Sequence, residues 1–492
     1  MRIPSGFWAG KGVFSSTIFS LCIFLSNARS AVASNPFTQY ALQFPDPADI
    51  ATRKFPANLA GAEATIVSWA EQMSSFGPWT VTDKPVLPPG GDKHDYMSWA
   101  PYHWPDCSNV HNTTVLNLAE TWTKCNYVVR DGEVNPDRNA IQDFQSFFNL
   151  SDAVLYNSIA ATLQNTSSSI YSQNVVKFIT TWFLDGDTAM NPNLNFGQMD
   201  GGPHGQVGSF TGILDLRGFA KIASGILILR RTGNTDWTSA VDTQFVTWCN
   251  KYISWLETAQ LAHAAATAPN NHGTIFVSQL ASLKLIVHDT AGAVNWTQNY
   301  FTGTFQGQLT KNGEQPLEAA RTAPWHYRNF NLGGMITNAR LLTYANRISR
   351  PWNATAKGAT IQTALNFLMT IDPSKTGETN TTAEIYPNIA AVASVYGDPQ
   401  GKYVDYMNTA KFPYADDATF LWDQPLAGGV VHVTVNQPLA SSVVPVAATQ
   451  PSASGVVPVA VNQPVASGAR SAKVHPLWFI SSLVLVSGLL CI

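Results

Sequence analysis

The chain has 492 residues and a formal net charge of −3, so no basic surface calls for a nucleic-acid partner. That length exceeds a typical single domain, so terminal signals and spacers have to be separated from the folded body first. Residues Val13 to Leu25 are mostly apolar, preceded by Arg2 and Lys11 and followed by Ala31-Val32-Ala33. A basic start, a short apolar run and an A-x-A site describe a secretory signal over residues 1–33.

The body, residues 34–426, contains no linker-like stretch and is dominated by helical spacing. The pattern predicts helices over Asn58–Ser75, Ile141–Asn149, Ser151–Leu163 and Ile170–Phe183, with Ser151 and Asp152 as a helix start. Leu216, Phe219, Ile222, Ile226 and Leu229 then recur at three- and four-residue steps. Further helices are predicted over Asp236–Ala262, through Phe276, Leu280, Leu283 and Val287, over Trp296–Leu309, through Leu332, Ile336 and Ala339, and over Thr360–Met369 and Thr382–Val395. Period-2 strands are scarce, Val430–Val435 excepted. So many helices in one undivided body imply an all-α toroid or solenoid of antiparallel hairpins, with its sites on loops at one end.

After the body come a Val/Ala/Pro/Ser-rich stretch with repeats of Val-Asn-Gln-Pro, residues 427–468, and a tail, residues 469–492, in which a polar spacer precedes the apolar run Leu477–Ile492. The stretch reads as an extended stalk. The Leu477–Ile492 run, short for a bilayer span and followed by no basic stop-transfer flank, reads with the spacer as a GPI-anchor signal with Ser467 as the attachment site. Together the two ends imply a secreted, cell-surface protein of a eukaryote that meets the membrane only through its anchor. Cys22 and Cys491 leave with the end signals, Cys107 and Cys125 form the expected disulfide, and Cys249 is expected as a buried thiol. Sequons at Asn112, Asn149, Asn165, Asn295, Asn353 and Asn380 agree with secretion.

The chemistry-bearing residues cluster. Asn271-His272-Gly273 precedes Arg321 and Tyr327 by about fifty residues, with no acid pair, thiol or metal cage beside them. An amide, an imidazole, a guanidinium and a phenol together suit the stabilisation of an enolate-like carboxylate while a proton is moved, as in elimination on a uronic-acid sugar. In this reading Arg321 lowers the pKa of Tyr327 so that the phenol takes the C5 proton, with an alkaline-leaning optimum. Loops holding His94, Trp99, Tyr102 and Trp104, then Arg130 to Asp137, then Asn195 and Gln198 offer aromatic and amide groups to a sugar chain. Trp325 and His326 would line the same wall. His94 and His204 lack the spacing of a metal site, and no cofactor is expected.

The segments Ser98–Asp106, Asp131–Pro136, Met190–Gln198, Asn270–Thr274 and Gln315–Tyr327 resemble, in order and spacing, the alginate-lyase domain family from about Asn58 to Gly397. The resemblance implies an incomplete (α/α) toroid with a deep cleft, and metal-independent β-elimination on a mannuronate-type polyuronide. For a surface enzyme of a walled eukaryote glucuronan stays open as the polymer, and a monomer is expected. Asn271 and His272 correspond to the family's carboxylate-neutralising pair, Arg321 to its cleft arginine and Tyr327 to its proton-moving tyrosine. The chain departs from the pattern at Ala323 and Pro324, where a second basic residue is common, and at His103, where tryptophan is usual. Two other readings stay open on the residues alone. A hydrolase would need a carboxylate pair from Asp185, Asp187, Asp200 and Asp215. A surface carbohydrate-binding protein would need only the cleft.

Overall fold

The computed structural model describes residues 37–53, 55, 59–110, 116–164 and 168–423. The chain divides into two units, Met1–Leu439 and Ala440–Ile492, and the second lies outside the described residues. So do the signal, stalk and tail segments, Val430–Val435, Ser467 and the sequons at Asn112 and Asn165.

Two kinds of helix build the body. The first kind lies inside and is largely buried: α2 (Asp143–Leu163), α4 (Phe219–Arg231), α6 (Asn271–Ile286) and α8 (Pro324–Ala345) pack in sequence, α2 on α4, α4 on α6 and α6 on α8. Every residue of α6 is buried, as is every residue of α4 from Phe219 to Leu229. The second kind alternates with them and covers them from outside: α1 (Ala60–Phe76), α3 (Ile170–Ile179), α5 (Ser239–Thr258), α7 (Thr290–Thr302), α9 (Ile361–Leu368) and α10 (Tyr386–Tyr396). These mostly carry one apolar stripe. In α5 it is Phe245, Trp248, Cys249, Tyr252, Ile253 and Leu256, the spacing that a helix lying on a core requires. The arrangement is the (α/α) toroid that the family resemblance implied, where the helical pattern alone left toroid or solenoid open.

Polar groups on the inner helices are buried with partners. Lys221 on α4 holds Asp152 on α2 at 2.7 Å and also donates to the Tyr40 carbonyl, which ties the N-terminal segment to both helices. A Cβ on Gly225 would stand 2.9 Å from Ser158 Oγ and 3.0 Å from the Val154 carbonyl, so glycine permits the close approach of α4 to α2.

The helix boundaries differ from the sequence expectation in instructive ways. Helix α2 runs unbroken through Ser151, whose hydroxyl donates back to the Phe148 carbonyl at 2.8 Å instead of capping a new helix. Burial of Leu150 to Thr162 against three neighbouring helices overrides the local cap signal. The predicted Asp236–Ala262 helix breaks at Ala259, and a short helix Gln260–Ala266 follows. The loops read as irregular contain two strand pairs: β1 (Met97–Trp99) runs parallel to β4 (Phe196–Met199), and β2 (His103–Asp106) antiparallel to β3 (Asn126–Val129). The disulfide Cys107–Cys125 closes the end of the β2–β3 pair, with Cα atoms 4.5 Å apart. Cys249 is a buried free thiol. No helix of the described residues is long and apolar enough to cross a membrane.

Candidate active site

Helices α6 and α8 pack against each other, and each start is capped by a carboxylate from elsewhere in the chain. Glu318 accepts the backbone N–H of Asn271 at 2.8 Å and its side-chain Nδ2 at 2.7 Å. Glu378 accepts the backbone N–H groups of Trp325 at 3.0 Å and His326 at 2.9 Å. A carboxylate suits a helix start because the first N–H groups have no intrahelical acceptor and the dipole there is positive. Pro324 at the first turn of α8 lacks an N–H and presets the backbone for the helix. These caps fix the two residues that follow, His272 and Tyr327, at the edge of one cleft.

The cleft encloses ≈ 680 Å³ and is lined by His272, Arg321, Tyr327, Tyr102, His103, Gln198 and His326, among others. Its polar centre is a chain of hydrogen bonds. The phenols of Tyr102 and Tyr327 lie 2.7 Å apart, Arg321 Nη2 donates to Tyr327 Oη at 2.9 Å, and the same nitrogen donates to Asp131 Oδ1 at 2.9 Å. The Arg321 guanidinium also lies 3.8 Å from the Tyr327 ring centre. Asp131 holds Thr322 as well, at 3.1 Å, and its carboxyl is kept below the usual range by the Arg321 bond.

His272 has a defined tautomer. Asn270 Oδ1 accepts the backbone N–H of His272 at 3.3 Å as the helix cap, which identifies that atom as oxygen. The same oxygen lies 3.0 Å from His272 Nδ1, so Nδ1 carries the hydrogen and Nε2 keeps its lone pair. Burial, aided by the charge of Arg321, pushes the imidazole pKa down to about 4, so His272 is neutral at pH 7.

Two expectations are corrected here. Tyr327 is raised, not lowered: burial and the bond and charge of Tyr102 outweigh Arg321, whose charge acts in the opposite direction. It therefore rests as a neutral phenol. Asn271 does not line the cleft. Its side chain is fully buried, its amide nitrogen is committed to Glu318, and its Oδ1 has no partner among the described residues.

The expected sugar-binding residues divide in the same way. Tyr102, Gln198 and His326 line the cleft. His326 is held by Glu384 at 2.8 Å, and Gln198, with a backbone φ of 45°, donates to the buried Asp215 at 2.7 Å. Trp99 is stacked on Trp122 at 4.2 Å in a small satellite core, and Trp325 is fully buried with its indole N–H on the Thr381 carbonyl. Trp104 donates to the Glu133 carbonyl beneath Arg130, and Asn195 accepts from Trp255; neither lines the cleft. These tryptophans pack; the rings on the cleft wall include Tyr102, Phe144, Phe148 and Phe330.

Sequence reasoning assigned no role to Glu318, Glu378, Asp131 or Asn270. Glu318 and Asp131 lie inside segments singled out for other residues, and only their partners distant in sequence reveal what they hold. Of the acids a hydrolase would need, Asp215 is buried among Tyr96, Ser98 and Gln198, Asp200 is paired with His103 at 3.1 Å, and Asp185 and Asp187 are exposed and do not line the cleft. Among the described residues, no group of three or more His, Cys, Asp and Glu side chains converges as a metal cage would require.

Residues 80–376 match the model of the family described as alginate lyase, a narrower span than the sequence resemblance suggested. No curated protein sequence matches the chain. Among solved structures, an alginate lyase from Bacteroides ovatus aligns with a TM-score of 0.65 at 25% identity, over 77% of this chain and 96% of that one. Alginate lyase A1-III from Sphingomonas species A1 aligns at 13% identity with a TM-score of 0.39, over 75% and 97%. A variant of A1-III complexed with a tetrasaccharide aligns at 12% identity with a TM-score of 0.42, over 76% and 98%. With more than half of its length matched by the family model and the helical toroid in common, the chain belongs to the alginate lyase family and is a carbon–oxygen lyase acting on polysaccharides.

Proposed function

We propose that the protein cleaves alginate or a closely related polyuronide by β-elimination, with His272 taking the C5 proton and Tyr327 donating to the departing oxygen. The observation that carries this division is the pair of protonation states: a neutral imidazole with Nε2 bare and a neutral phenol, on one cleft. Arg321 holds the carboxylate of the sugar that reacts, since charge gathers there as C5 loses its proton. A preorganised donor at such a position typically lowers the barrier by about 3 kcal/mol. The C5–H bond breaks toward His272 Nε2, its electron pair forms the C4–C5 double bond, and the C4–O bond breaks as O4 takes the Tyr327 proton. Tyr102 and Arg321 then stabilise the Tyr327 phenolate until the proton on His272 returns to it. Asn271 acts through Glu318, positioning the start of α6.

The test is absorbance of the unsaturated uronate that elimination leaves, followed against pH. A His272 base keeps kcat/KM flat through neutrality, with a fall toward about pH 4. A rate that instead climbs steadily into the alkaline range would assign the base to the Tyr327 phenolate. New reducing ends without that absorbance would overturn elimination itself.

We further infer a monomeric enzyme exported and anchored at a eukaryotic cell surface. The terminal signals, the Cys107–Cys125 bridge and the exposed sequons Asn295 and Asn380 support export and anchoring. Release of the protein from intact cells by a phosphatidylinositol-specific phospholipase tests the anchor; retention after treatment refutes it.

A further inference from the structure

Among the described residues three guanidinium groups line the cleft, and of these only Arg321 is paired with a carboxylate there. The other two, Arg138 and Arg217, are seated on aromatic rings. The Arg138 guanidinium stands 4.5 Å from the centre of Phe144. That of Arg217 stands 4.0 Å from Phe148, 5.1 Å from Phe330 and 5.7 Å from Phe144. Such stacking fixes a planar cation and leaves its N–H edge to face a carboxylate. Arg217 uses Nη1 on the Leu214 carbonyl at 2.6 Å, and its Nε is buried without a partner among the described residues.

Nearby acids are committed elsewhere. Glu384 holds His326 at 2.8 Å and Asp200 holds His103 at 3.1 Å. The oxygens of buried Asp215, whose charge both arginines feel, accept from Tyr96, Ser98 and Gln198. Two fixed cations therefore face the cleft without an ion-pair partner among the described residues, on a wall whose rings can also pack against the apolar face of a sugar.

We propose that Arg138 and Arg217 form a second carboxylate subsite, which holds a uronate of the bound chain other than the one that loses its proton. The inference rests on the polyuronide reading above and sharpens it. The preferred substrate carries carboxylates on successive residues, so a polymer in which uronates are separated by neutral sugars binds less well.

Calorimetric titration in a Tyr327→Phe background separates binding from turnover. The probes are a tetramer of mannuronate and its carboxyl-reduced, neutral counterpart. Arg138→Gln should weaken binding of the charged tetramer about tenfold and leave the neutral one unchanged, because only the charge-assisted contact is removed. Arg217→Gln should do the same, with Arg217→Lys retaining part of the affinity. Arg138 is partly exposed, so its variant decides the matter even where an Arg217 variant does not fold. Equal affinity of Arg138→Gln for the charged tetramer would overturn the subsite. So would an equal loss for both probes, which would mark a structural role, or a protein that binds no charged tetramer. Failure of the unsubstituted enzyme to release unsaturated product sinks the elimination reading separately, while the titration still decides the subsite.

Discussion

The two walls of the cleft are built on opposite principles. One wall is helical: α6 and α8 are deeply buried, their starts are capped by Glu318 and Glu378, and His272 and Tyr327 sit within the first turns. The other is made of loops and short strands, with Tyr102, His103 and Asp131 carried on the β2–β3 pair and the turns beside it. The helical wall sets protonation states through burial. The loop wall reaches across with hydrogen bonds that lock the phenol and the guanidinium. A rigid wall that holds the proton carriers, faced by a lighter wall that holds them in register, suits an enzyme that must admit a polymer.

Substitutions on the helical wall should have the largest effects. Tyr327→Phe should lower kcat about a thousandfold with the fold intact, the scale typical of a lost general acid; a variant of full activity would remove Tyr327 from the mechanism. Glu318→Ala leaves the Asn271 N–H and Nδ2 buried without an acceptor, costing about 3 kcal/mol in urea unfolding. Retained stability would show that water or a neighbour replaces the carboxylate.

Acid acts on the same wall. The folded-state pKa of His272, about 4, lies below its unfolded value of about 6.5, so the unfolded chain binds more protons between them. Stability from this group is therefore present above about pH 6.5 and is lost as pH falls toward 4, by about 3 kcal/mol in all. His272→Gln should flatten that part of the stability profile, and an unchanged profile would place the acid sensitivity elsewhere.

The loop wall should answer more gently. Gly132 has a φ of +83°, and a Cβ there would stand 2.4 Å from Thr322 Oγ1. Gly132→Ala should therefore cost about 1–2 kcal/mol and pull Asp131 away from Arg321. Asp131→Asn, which weakens the hold on Arg321 without moving the backbone, should raise KM or lower kcat by roughly fivefold. A thousandfold loss from Asp131→Asn would make the loop wall as essential as the helical one and erase the distinction.

Much of this was legible in the residue order. The stripe in α5 and the capping Thr360 before α9 are local patterns, since an outer helix meets water on one side and core on the other. Helix α6 and the Leu150–Thr162 part of α2 are less legible because a fully buried stretch has no polar face. The false start at Ser151 and the unrecognised beginning of α6 at Asn271 both follow from that. Trp99 and Trp325 misled for a related reason: tryptophan serves a sugar platform and a core equally well, and burial alone separates the two.

By itself the sequence determined an undivided all-helical body, the Cys107–Cys125 pair and the set from which the site is drawn: His272, Arg321, Tyr327 and Tyr102. Periodicity, cysteine count and residue chemistry are properties of the chain order. Only the tertiary structure decided that Asn271 faces Glu318 instead of the cleft, that Nε2 of His272 is bare, that Tyr327 rests protonated, and that Arg138 and Arg217 sit on aromatic rings and not on carboxylates. Those outcomes depend on desolvation and on partners far away in the chain, and a pKa or a hydrogen bond has no value until both are in place.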